Sequence, residues 1–155
     1  MKQHATFLTA IIAGLVMLAP LAFAAGTASS SKPPVTSYSK GVRAVQGGDF
    51  RSAIVLLERA VARDGRNADA YNYLGFSYRK LGKLDTALKH YRKALEIDPK
   101  HKGAHEYIGE THLQQNELGK AKKHLARLDK ICWLGCEEYD DLKAAIKNYE
   151  SKKRG

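Results

Sequence analysis

Residues 68–101 read ADAYNYLGFSYRKLGKLDTALKHYRKALEIDPKH, and the alternation of small and large residues here decides the fold. Gly75 and Ala87 lack bulk where Leu74, Tyr78, Leu88 and Tyr91 carry it. Small residues on facing turns let two antiparallel helices approach closely, and the larger ones fill the space between and beside them. Gly82 separates the two runs, and glycine tolerates the left-handed backbone that ends a helix. Asp98-Pro99 stops the second run, because proline lacks an N–H and restricts the residue before it.

The pattern recurs every 34 residues. Gly41, Gly75 and Gly109 share this spacing, as do Ala53, Ala87 and Ala121. So do Leu57, Tyr91 and Leu125, then Ala60, Ala94 and Leu128, and between the runs Gly48, Gly82 and Asn116. The windows are therefore 34–67, 68–101 and 102–135.

Tyr71, Leu74, Gly75 and Tyr78 match the block W-x2-L-G-x2-Y with tyrosine for tryptophan, and Ala87, Tyr91, Ala94 and Pro99 match the block that follows. On these residues the chain resembles the tetratricopeptide-repeat family. The resemblance implies an all-α, right-handed α-solenoid of three helix-turn-helix repeats. The outer windows depart from the pattern. Ser37 and Lys40 replace the first large apolar pair, and Gly65 stands where proline would. His105 and His112 take the aromatic positions of the third window, and Trp133 takes its proline position. Terminal repeats are commonly atypical, since one face meets solvent. Tyr139, Leu142, Ala145, Ile146 and Tyr149 then share one helical face, which predicts a capping helix over 136–151 and a folded domain over 37–151.

The chain begins with a short basic start, an uncharged apolar run over Phe7–Leu18, and Ala22-Phe23-Ala24. This is the pattern of a secretory signal peptide over residues 1–24, cleaved after Ala24. The expectation is an exported chain, periplasmic in a Gram-negative host. AGTASSSKPPVT over 25–36 predicts a flexible leader. The formal charge of +10 falls by one when Lys2 is removed. An exported chain rarely meets nucleic acid, so this balance points to acidic partners, anionic surfaces or solubility.

Catalytic motifs do not emerge. HEYIG at 105–109 begins like a zinc-protease motif, but Gly109 occupies the second histidine's place. No nucleophile–base motif and no phosphate-cradling glycine loop is present. The expectation is a chain that is not an enzyme and has no cofactor and no resident metal.

The family resemblance implies that the first helix of each repeat lines a concave groove holding an extended segment or helix of another protein. The corresponding positions are Tyr38, Val42, Val45, Asp69, Asn72, Phe76, Arg79, Glu106, Glu110 and Leu113. Family members that clamp a chaperone's terminal carboxylates use Lys, Asn and Arg at several of these places. Tyr38, Val42, Phe76, Gly103 and Tyr107 stand there here, so that clamp is absent. The expected ligand carries an apolar anchor and a basic end, matching an aromatic first half and an acidic second half extended by Glu137 and Asp140. A competing reading has Val42 and Phe76 packing between helices. Lys89, Lys93, Lys120, Lys122, Lys123, Arg127 and Lys130 predict a basic convex face, either solvated or weakly holding anionic membrane or cell-wall polymers.

CWLGCEEY at 132–139 holds the only two cysteines. The spacing fits neither C-x-x-C nor haem attachment, and two thiolates fall short of a structural zinc site. Across a turn broken by Gly135 the two Cα atoms can reach the ~5.5–6 Å a disulfide prefers. A staple fixing the cap is the first reading, and a thiol-based redox or metal carrier using Cys132 and Cys136 is the second. A self-associating scaffold is the third reading of the whole chain.

Overall fold

The computed structural model describes residues 36–154; the leader segments at 1–24 and 25–35 lie outside the described residues. Seven helices follow in order: α1 Ser37–Gln46, α2 Phe50–Arg63, α3 Ala68–Lys80, α4 Leu84–Ile97, α5 Lys102–Gln114, α6 Leu118–Ile131 and α7 Glu137–Arg154. They form three antiparallel pairs and a final helix that packs on α5 and α6. Among the described residues there is no strand, and no helix is long and apolar enough to cross a membrane.

Local chemistry sets the helix ends. Thr36, Asp49, Asn67 and His101 each accept a hydrogen bond from a backbone N–H in the first turn of the helix they cap. Within each pair, the first helix ends at a left-handed residue: Gly48 (φ 75°), Gly82 (φ 74°) and Asn116 (φ 62°). The N–H groups of Asp49, Lys83 and Glu117 then donate to the carbonyls of Ala44, Tyr78 and His112 at 2.9, 2.9 and 2.7 Å. Each bond spans five residues, the closure of a Schellman turn.

The repeat's small residues form the seams. Ala53, Ala87 and Ala121 are fully buried, and so are Leu57, Tyr91 and Leu128. Gly41 faces the side chain of Leu57, and Gly75 faces the ring of Tyr91. The third glycine differs. Gly109 receives Leu142 from α7, while Leu125 is half-buried at the edge of the same core. The cap thus inserts its own leucine at the third repeat's close-approach point. Helix α7 also runs to Arg154, beyond the expected end at 151, with Lys152, Lys153 and Arg154 favourably placed at its negative C-terminal dipole.

The two sulfurs are joined in a Cys132–Cys136 disulfide with Cα atoms 5.6 Å apart. Gly135 turns at φ 88° inside the bridged loop, and Cys132 packs into the core shared by α5, α6 and α7. In this form neither sulfur offers a thiolate for metal or redox exchange.

Candidate peptide-binding groove

The first helices α1, α3 and α5 lie side by side, with α7 beside α5. Asn67 caps α3 and His101 caps α5, which fixes where Asp69 and Glu106 fall on neighbouring turns. His101 Nε2 also meets Asp69 Oδ1 at 3.0 Å, tying the start of α5 to the start of α3.

A cleft of about 310 Å³ opens here, lined by Asp69, Asn72, Tyr73, Glu106, Tyr107, Glu137, Glu138 and Asp141 together with His101 and Gly103. Five carboxylates and no lysine or arginine line it. Glu106 is buried; burial, then the carboxylates of Glu110, Asp141 and Glu138, push its carboxyl up to about 8, against the pull of Arg79. Asn72 is buried at 6% exposure, and its Oδ1 has no hydrogen-bond partner. That oxygen is enclosed, so what the cleft presents to a ligand is its acidic lining, which suits a cationic group.

An aromatic ladder stands beside it. Phe76 contacts Phe50 at 6.0 Å and Tyr107 at 5.1 Å between ring centroids. The Arg79 guanidinium lies 5.4 Å from both the Phe76 and Tyr107 rings, and its Nη2 pairs with Glu110 Oε2 at 2.7 Å. Arg79 is thus consumed by packing and by Glu110, leaving the cleft's acid in excess.

Of the expected groove residues, Asp69, Asn72 and Glu106 line the cleft, and Phe76, Arg79 and Glu110 form the ladder. Tyr38 stacks against Tyr73 at 6.4 Å, and Val42 is half-buried on α1. Two of the expected residues lie against the core and do not line the cleft. Leu113 is buried in the core beneath the cap with Leu128, Leu142 and Ile146, because α7 covers that side of α5. Val45 packs against the first repeat's core of Ala53, Leu57 and Leu74. The acidic extension also shifts: Glu137, Glu138 and Asp141 line the cleft, whereas Asp140 does not. A spacing of four from Glu137 selects Asp141, and that helical phase was the available signal.

The third repeat also holds a histidine trio, of which the sequence reading missed one member. His105 Nδ1 meets His124 Nδ1 at 3.0 Å, and the His124 ring lies 6.0 Å from that of His112. In the second repeat Tyr71, His90 and Tyr78, each 34 residues earlier, occupy the same places as a stacked set, with interplanar angles of 24° and 2°, whereas the histidine rings are tilted by 46° and 34°. The third repeat thus keeps the ring positions and substitutes imidazole for phenol. Burial first, then the neighbouring histidines and Arg127, hold His124 down to about 4. His105 is lowered too, mainly by burial, while its Nε2 contacts the Pro99 carbonyl. Both shifts favour the neutral ring at His124 and His105, while His112 Nδ1 meets Glu117 Oε2 at 2.7 Å.

Fold and helix order together define an α-solenoid of paired helices with a cleft along its first helices. The family model of the tetratricopeptide repeat matches residues 68–101, and the chain has the all-α tetratricopeptide-repeat fold. No curated protein sequence matches the chain significantly. It is similar in structure to the second tetratricopeptide-repeat domain of human RPAP3, solved with the HSP70 peptide SGPTIEEVD, at 22% identity and a TM-score of 0.65 over 73% of this chain and 93% of that one. The Yersinia enterocolitica type III secretion chaperone SycD, in complex with a peptide of the translocator YopD, matches at 20% identity and a TM-score of 0.65, over 76% of this chain and 92% of that one. MamA from Desulfovibrio magneticus RS-1 matches at 25% identity and a TM-score of 0.59, over 61% of this chain and 54% of that one.

Proposed function

We propose that this protein is a non-catalytic adaptor that holds a segment of another protein in its concave groove. The segment carries a basic residue that enters the acidic cleft and an apolar side chain that meets the aromatic ladder. The observation carrying this reading is the lining of the cleft, five acidic side chains with no lysine or arginine among the described residues. A lysine ammonium or arginine guanidinium supplies the donors and the charge together. Structural neighbours hold peptides of HSP70 and YopD, which supports peptide capture as the mode. The HSP70 peptide ends IEEVD, and an acidic ligand of that kind is repelled by this cleft. The adaptor works outside the cytoplasm, after loss of residues 1–24, and an intact mass beginning at Ala25 tests that.

Replacing Phe76 and Glu110 together (Phe76→Ala, Glu110→Gln) tests the groove. Capture of a basic-apolar partner segment should be lost while the helical content stays. Unchanged capture contradicts the assignment.

A further inference from the structure

Away from the acidic cleft, on the side of the second helices, lies a wider cleft of about 710 Å³. Lys100, Arg127 and Lys130 line it, with Leu95 and Ile131 among its apolar lining, and no carboxylate does. On the same face Lys93 pairs with Glu96, Lys120 with Glu117 and Lys122 with Glu150, whereas Lys89 and Lys123 have no ion pair among the described residues. The three lining cations have no ion pair among the described residues.

At the rim stands the disulfide loop. Trp133 is 81% exposed and Leu134 80%, whereas the next most exposed large apolar residue, Val55, reaches 49%. Exposing a tryptophan and a leucine in succession forgoes burial energy that the core could have used. The Cys132–Cys136 bond closes this loop, so the pair stands out on a tethered knuckle. An apolar tip that protrudes, with unpaired cations on the Trp133 side and the Glu138 carboxylate behind the disulfide, has the form of an interfacial anchor. Tryptophan favours the headgroup layer, and lysine and arginine beside it meet lipid phosphates.

We infer that the Trp133–Leu134 knuckle and its three cations form a docking site for an anionic phospholipid surface. Trp133 and Leu134 enter the interface while Lys100, Arg127 and Lys130 contact headgroup phosphates. A protein partner fits less well, because a convex tip of two side chains offers little of the area that a specific protein interface buries. The cations that serve this site do not line the acidic cleft, although Glu138 of that cleft lies against the disulfide.

Trp133 is the sole tryptophan in the chain, so its emission reports this knuckle directly. The full chain is titrated with vesicles of equal parts phosphatidylglycerol and phosphatidylcholine, and with phosphatidylcholine alone. The expected result is a blue shift with the anionic vesicles only, reversed by high salt. Neutralising the cations (Lys100→Gln, Arg127→Gln, Lys130→Gln) should weaken the vesicle partition that gives the shift by about 100-fold. Leu134→Ser should weaken it as well, with unchanged circular dichroism in both variants. Emission that does not move with anionic vesicles overturns the inference. So does a shift that survives the triple substitution, or one produced only by an acidic peptide.

Discussion

Gly75 has no room for a side chain: a Cβ there would lie 2.5 Å from the ring of the fully buried Tyr91. Gly75→Ala should therefore cost about 1–3 kcal/mol through overpacking. Gly119, which has nothing within 4 Å, should gain a few tenths from the same change on α6. Urea melts of the two variants check the contrast. Two buried titrations act in opposite directions. Glu106 has its folded value raised to about 8 from 4.5, so its contribution to stability is full below pH 4.5 and lost as pH rises through about 8. His124 is depressed to about 4 from 6.5, so its contribution is full above pH 6.5 and lost as pH falls towards 4. The two slopes offset between pH 4.5 and 6.5, so stability should be level there and fall below about pH 4.5 and above about pH 6.5. Glu106→Gln should flatten the alkaline limb and His124→Gln the acid one, as read by thermal melts across pH. Binding follows the same logic. A cation entering the cleft favours ionised Glu106, so affinity for a basic peptide should rise from pH 6 to about 8, and Glu106→Gln should abolish that slope.

At the scale of the element, α7 matters most, because Leu142 fills the space beside Gly109 and its acidic first turn completes the cleft. Leu142→Ala should cost about 2–5 kcal/mol and weaken ligand capture together with stability. Losing the disulfide through Cys132→Ala and Cys136→Ala should cost at most about 2 kcal/mol, since so small a loop restricts the unfolded chain little. The helices themselves were legible, because Gly, Ala and the turn residues repeat at a fixed spacing and each has one steric job. Leu113 was not. Periodicity assigns one buried face, but α5 is packed by α4, α6 and α7 at once and is buried almost all round. A groove position and a core position then look alike in sequence. Asp141 was readable from its spacing to Glu137, and His124 from its spacing to His90, once the repeat is followed across windows. The unpartnered Asn72 oxygen was beyond reach, because it depends on which donors the folded neighbours fail to supply.

For the whole molecule, charge is separated. A net positive chain concentrates carboxylates in the concave cleft and unpaired cations beside the disulfide knuckle. On the proposed reading the first surface takes a basic segment and the second an anionic one. The most direct test of the central claim measures binding of two labelled peptides, one apolar with a basic end and one apolar with an acidic end, to the wild type and to the variant Glu106→Gln, Glu138→Gln, Asp141→Asn. The account predicts that the wild type binds the basic peptide in a salt-sensitive manner, that the variant binds it at least about tenfold more weakly, and that the acidic peptide is refused. Preference for the acidic peptide, or equal affinity of wild type and variant for the basic one, would contradict it.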